Sequence, residues 1–149
     1  MTTVGLLSPG AMGSSVGAAA LGQDDKVIWA SEGRSSSSID RAAKAGLTDC
    51  GTLDALFAQS DIVLSVGPPH NATDIAQEAN QHRFTGIYLD ANAIAPKQCR
   101  LLRDIVCEHG ATFVDGGIIG GPAWHKEAGT RLWLSGDAAP VIADLFNDS

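Results

Sequence analysis

Thr2-Thr3-Val4-Gly5-Leu6-Leu7-Ser8-Pro9-Gly10-Ala11-Met12-Gly13 opens the chain and decides how the rest is read. An apolar run suited to a buried strand gives way to the turn signal Ser8-Pro9-Gly10. From Ala11 the residues are small, and Gly22 is placed to stop a helix over 11–21. The turn has the G-x-G-x-x-G spacing of a dinucleotide fingerprint, with Ser8 at the first glycine. Gly10 would let the backbone approach a pyrophosphate, and Gly13 would let the helix pack closely on the sheet. The helix start offers amide hydrogens and the positive end of its dipole to phosphate. The same residues also fit a glycine-rich βα turn that binds nothing. Ser8 weakens the fingerprint, because serine tolerates fewer backbone conformations than glycine. The strand-turn-helix context strengthens it.

Outward from this corner the pattern alternates. Strands are expected over 26–30, 61–66, 86–90, 111–115 and 130–135, and helices over 39–45, 53–58, 72–81, 96–109 and 139–146. Thr52 is a candidate N-cap, and Pro96 stands in a first helical turn. Gly33 and the four serines 35–38 read as a loop. Continuous apolar strands, each followed by a helix, indicate a mostly parallel sheet covered on both faces. With right-handed crossovers this is a Rossmann-type doubly wound α/β fold. Ligands of such a fold sit beyond the carboxyl ends of the strands. The segments 8–13, 31–35, 66–70, 90–93 and 115–121 all fall there.

The 149 residues suit one domain. Lys plus Arg is 10 and Asp plus Glu is 17, a net charge of −7, which argues against nucleic acid and anionic membranes as partners. An anionic ligand then needs a local site of backbone amides or a single arginine. Cys50, Cys99 and Cys107 form no CxxC pair and no metal spacing, and they read as reduced thiols of a cytoplasmic chain. No segment has the form of a signal peptide or a membrane span.

The end of the second strand bears on which nucleotide is held. Ala30-Ser31-Glu32-Gly33-Arg34-Ser35 offers both options. Glu32 suits the 2′-hydroxyl of NAD, whereas Arg34, with Ser31 and Ser35 as hydroxyl donors, suits the 2′-phosphate of NADP. NADP(H) is the expectation, with NAD as the other option and a solvated surface charge as the bland reading of Arg34. Val66-Gly67-Pro68-Pro69-His70 ends the central strand in a rigid bend able to shelf an aromatic ring, and His70 reads as a solvent-facing residue at a helix start. His82, His109 and His125 have no metal spacing. Asp90 and Asp115, at strand ends, read as residues that fix loops rather than as a catalytic pair.

Segments 5–13, Asp90-Ala91-Asn92-Ala93-Ile94-Ala95-Pro96 and Asp115-Gly116-Gly117-Ile118-Ile119-Gly120-Gly121-Pro122 stand in the order and spacing of the beta-hydroxyacid dehydrogenases. The chain resembles the NADP-binding domain of the 6-phosphogluconate dehydrogenase-like members, with imine reductases as relatives. The resemblance implies that Pro9, Gly10, Ala11 and Met12 hold the pyrophosphate and border the nicotinamide. It implies that Val66, Gly67 and Pro68 line the cofactor cleft, and that Asn92 reaches the nicotinamide or the substrate. Ile119, Gly120 and Gly121 would form the substrate-binding turn. Ala93 and Ile119 replace polar residues of the family pattern, which points toward a less polar substrate. The family's general acid, usually a lysine, lies on a helix beyond this domain, in or leading into a helical domain that these 149 residues are expected to lack. His125 and Lys126, after the substrate turn, read as loop residues, with a catalytic role as the lesser option. Such enzymes are commonly dimers, so a homo-oligomer is expected.

Three functions fit. One is the cofactor half of an oxidoreductase acting on a small hydroxy acid, carbonyl or imine. Another is an NADP(H)-binding module without chemistry of its own. The third is an S-adenosylmethionine-binding domain, which Glu32 suits but which gives the loops at Asp90 and Asp115 no purpose.

Overall fold

The computed structural model describes residues 1–22 and 25–147. Its strands are β1 (Thr3–Leu7), β2 (Lys26–Trp29), β3 (Thr48–Asp49), β4 (Ile62–Ser65), β5 (Ile87–Asp90), β6 (Thr112–Ile119) and β7 (Arg131–Ser135). Its helices are α1 (Ala11–Ala19), α2 (Ser36–Lys44), α3 (Leu53–Gln59), α4 (Ala72–Gln81), α5 (Pro96–Val106) and α6 (Ala139–Asp144). The strands form one sheet in the order β3-β2-β1-β4-β5-β6-β7. All neighbours are parallel except β6 and β7. The strand order reverses between β1 and β4, and that switch point opens a crevice at the carboxyl ends.

Side-chain alternation divides the core in two. On one face Val4, Leu6, Ile62, Leu64, Leu89 and Val114 meet Val16 of α1 and Ile142 of α6. On the other Leu7, Val63 and Tyr88 meet Leu56 of α3, Ala72 and Ala76 of α4, and Leu102 of α5. No described helix is long and apolar enough to cross a membrane.

Four features depart from the sequence expectation. The serine run is not a loop: Ser36, Ser37 and Ser38 open α2, because the Ser35 hydroxyl accepts from the Ser38 amide and caps it. The two-residue edge strand β3, paired to Ile28 and Trp29, is too short to show a period. The helix expected to reach residue 109 stays α-helical only to Val106 and tightens into a 3₁₀ turn at Cys107–His109. Residues 115–119 continue β6 instead of forming a loop, because β7 returns antiparallel and pairs Asp115 through Ile119.

Tyr88 stacks on Phe113, and its buried hydroxyl, beside Ser65, meets no partner in full hydrogen-bond geometry among the described residues. Burial raises the Tyr88 pKa above the ordinary phenol value. A Tyr88→Phe change removes that unsatisfied group and keeps the ring. Stability in urea is therefore expected to hold or to rise by up to about 1 kcal/mol. A loss of 2 kcal/mol or more would mean that the hydroxyl is bonded after all.

Candidate functional site

The β1–α1 corner contains two glycines with opposite reasons for being there. Gly13 is buried, and a Cβ on it would collide with the Ser8 carbonyl oxygen and crowd that of Val66 at 3.3 Å. Gly10 is different. Its backbone (φ −72°, ψ −171°) is extended, which any residue adopts, and a Cβ there would meet nothing within 4 Å. Neither backbone strain nor protein packing requires a glycine at residue 10. The space its missing side chain leaves lies against the first turn of α1, which no side chain caps. Amides of a first helical turn have no partner within the helix. The corner is thus shaped and polarised for an anionic group brought close to backbone.

Ser8 occupies the left-handed region at φ 68°, where the fingerprint's first glycine would stand without strain. Its hydroxyl accepts from Nη2 of Arg34 at 3.1 Å, a bond that glycine could not offer. A second arginine, Arg41 on α2, donates through Nε to the Pro9 carbonyl at 3.2 Å and through Nη2 to the Ser38 hydroxyl at 3.5 Å. Two guanidinium groups therefore converge on the Ser8-Pro9 turn, one on a side-chain hydroxyl and one on a backbone carbonyl. Ser31 is tied to the far side of this loop, its amide donating to Asp49. The Ser31 hydroxyl bond to Asp49 and the Gly51 amide hold that carboxyl below its ordinary value. The Glu32 amide donates to the Gly51 carbonyl at 3.0 Å, and its carboxylate forms no ion pair among the described residues.

Across the crevice Gly67 completes the ring of loops. A Cβ there would lie 3.5 Å from Ser8 Cβ and 4.0 Å from Asn92 Oδ1, so the ends of β1, β4 and β5 meet at this point. Asn92 is buried, and its polar atoms bond to protein. Oδ1 accepts from the Gly67 amide at 2.6 Å, and Nδ2 donates to the Ser65 hydroxyl and to Asp90 Oδ2, each at 3.1 Å. Asp90 also accepts from the Asn92 amide at 3.0 Å. Burial, with the negative charge of Asp115 as a smaller contribution, pushes the Asp90 carboxyl up to about 6, against the pull of its Asn92 bonds. Burial first, then Asp115 and Asp90, push Cys99 up to about 11. Cys50 and Cys107 are raised by burial too. None of the three cysteines carries an activated thiolate.

The structure gathers Ser8, Pro9, Gly10, Met12, Gly13, Arg34, Val66, Gly67 and Asn92 around one crevice end. Ser35 stands beside it, with its hydroxyl engaged as the α2 cap. Pro68 and His70 are exposed, the latter in the 3₁₀ turn Pro69–Asn71. Ile119 is 62% exposed at the end of β6, and Gly120 follows at φ 119°. The Thr130 hydroxyl closes the hairpin onto the Gly121 carbonyl at 2.7 Å. The Ala123 amide donates to the Ser15 hydroxyl at 2.9 Å and fastens the segment after β6 to α1. His125 and Lys126 are exposed beyond it. No group of His, Cys, Asp and Glu able to hold a metal occurs among the described residues.

A family model described as the NAD binding domain of 6-phosphogluconate dehydrogenase matches residues 3–143. No curated protein matches the chain in sequence. Among solved structures, a conserved protein of unknown function, described as structurally similar to 3-hydroxyacid dehydrogenases, is 27% identical at a TM-score of 0.83 and is covered over 53% of its length by 96% of this chain. The 3-hydroxyisobutyrate dehydrogenase of Mycobacterium tuberculosis is 17% identical at 0.79, over 98% of this chain and 51% of that one. An imine reductase variant from Myxococcus stipitatus, in complex with NAD+, is 21% identical at 0.78, over 97% and 52%. The last two likenesses are of fold. The chain spans about half the length of each.

Proposed function

The chain belongs to the family of the NAD-binding domain of 6-phosphogluconate dehydrogenase, and from that premise we propose that it holds NADP(H) for hydride transfer to or from a small hydroxy acid, carbonyl or imine. The observation that carries the reading is Gly10. It is a glycine that neither the backbone nor the packing calls for, set against an uncapped helix start. A diphosphate is the group that such a space and such amides suit. The nicotinamide, when bound, would give up or accept the hydride. The residues of this chain bind and orient. Pro9 to Met12 receive the diphosphate, and Val66, Gly67 and Pro68 line the side of the cleft where the ring would lie. Ile119 to Gly121 border the substrate. No described residue is assigned the proton transfer.

Preference for NADP rests on the two arginines. Arg34 reaches the Ser8 hydroxyl from the end of β2, where a 2′-phosphate would stand, and Arg41 adds a second cation beside Pro9. Glu32, the residue suited to a ribose hydroxyl, is exposed, and its carboxylate forms no ion pair among the described residues. Calorimetric titration is expected to find NADP bound more tightly than NAD. Arg34→Ala should remove most of that difference, about 1.5–3 kcal/mol for a hydrogen bond to a charged group. Equal affinities in the unaltered protein would overturn the preference while leaving the diphosphate site standing.

A further inference from the structure

The β4 and β5 loops are not independent neighbours of the cleft: the buried Asn92 side chain bonds across to the β4 side, and the Asp90 carboxylate holds Asn92 in place. Ser65, Asp90 and Asp115 stand side by side in register across β4, β5 and β6. Asp90 is fully buried, and both of its oxygens accept from Asn92, one from the amide and one from Nδ2. Asn92 spends its remaining bonds on the β4 side, on Ser65 and on the Gly67 amide. Protonating Asp90 turns one of its two acceptor oxygens into a hydroxyl, a donor and a poorer acceptor, and the bond from Nδ2 or the amide of Asn92 to that oxygen weakens.

We propose that Asp90 is a positioning residue which, through Asn92, sets the spacing of the two loops that receive the nicotinamide half of the dinucleotide. This rests on the dinucleotide reading above and adds to it a division of labour. The β1–α1 corner and the arginines hold the adenosine diphosphate portion, and the Asp90–Asn92 bridge prepares the other half. It also confers a pH response. The groups that bear on Asp90 are acids or neutral: Asp115 from β6, Cys99 from α5, and Tyr88 two residues earlier on its own strand. Arg103 of α5 acts on Cys99. With burial and Asp115 opposing ionisation, Asp90 takes up a proton near pH 6, far above an ordinary aspartate. The clamp is intact above that pH and weakens as pH falls through it.

The test compares two probes on the whole chain between pH 5 and 8: NADP+, and 2′-phospho-ADP-ribose, which lacks the nicotinamide. Their shared phosphates titrate alike, so the ratio of the two affinities isolates the nicotinamide half. That ratio is expected to be constant above about pH 7 and to fall roughly tenfold below pH 6, the size of one lost charged hydrogen bond. In Asp90→Asn it should be low throughout and flat with pH, while 2′-phospho-ADP-ribose binds as to the parent. Asn92→Ala, which breaks the same bridge from its other end, should give the same result if Asp90→Asn folds poorly. A flat ratio in the parent, or equal loss of both probes in a folded variant, would overturn the positioning role. Failure of both probes to bind the parent would instead bring down the dinucleotide reading.

Discussion

Gly10→Val is expected to fold like the parent and to lose dinucleotide binding by about two orders of magnitude, ~2.7 kcal/mol. The first half of this expectation follows from the backbone. The extended conformation at Gly10 suits a β-branched residue, and the added atoms meet no protein atom near Cβ. Gly10 is the N-cap of α1, where valine is a poorer occupant than glycine, so a stability cost of up to about 1 kcal/mol is expected. The second half follows from what the open space is for. An isopropyl group there stands between the first-turn amides and any diphosphate, and a side chain fixed at Cβ cannot swing out of the way. Thermal denaturation and calorimetric titration with NADP+ separate the two halves. A folded Gly10→Val protein that binds NADP+ normally would remove the phosphates from this corner. Loss of the fold would show that Gly10 serves packing after all.

The same corner marks the boundary between what could be read from the sequence and what could not. The strand-turn-helix order and α4, placed at 72–81 from its pattern, were legible because a helix or buried strand prints its period on neighbouring residues. The extension of β6 to Ile119 was not, since it depends on pairing with Arg131, a dozen residues later, and nothing local announces that Gly116-Gly117 pair with an antiparallel strand. The serine run misled for a different reason. Serine is a weak helix former, but Ser35 turns the run into a capped helix start whose gain lies in the cap and not in propensity. Arg34 was visible from its place after β2. Arg41 was not, because the winding of α2 brings it to a carbonyl 32 residues away. Asn92 was expected to reach outward to nicotinamide or substrate, and its amide is instead turned to Gly67, Ser65 and Asp90. Asp90, read as a loop-fixing residue, does fix a loop. That Asn92, held by Asp90, joins this loop to the one after β4 required knowing that β4 and β5 are neighbours in the sheet.

Gly13→Ala is expected to fail in the opposite way to Gly10→Val, by loss of stability. Inside a helix alanine ordinarily gains about 1 kcal/mol over glycine. Here the gain is reversed, because the new methyl group would overlap the Ser8 carbonyl oxygen and press on that of Val66. Neither backbone can retreat cheaply. The Ser8 carbonyl accepts from the Gly10 amide at 2.8 Å, Ser8 already sits in the left-handed region, and Leu7 just before it is bound into the sheet through β1. The helix must then lift from the strand end, which loosens Val16 and Ala20 of the core beneath it. Overpacking of this kind costs about 1–3 kcal/mol and more where the neighbours are fixed. After the helix gain is subtracted, a net loss of about 2 kcal/mol in urea denaturation is expected. NADP+ should weaken only as far as the turn itself is disturbed, so stability would drop more steeply than affinity, the reverse of Gly10→Val. A Gly13→Ala protein as stable as the parent would mean that α1 and the Ser8 turn do not approach as closely as their backbones indicate. The diphosphate corner built on that approach would then have to be redrawn.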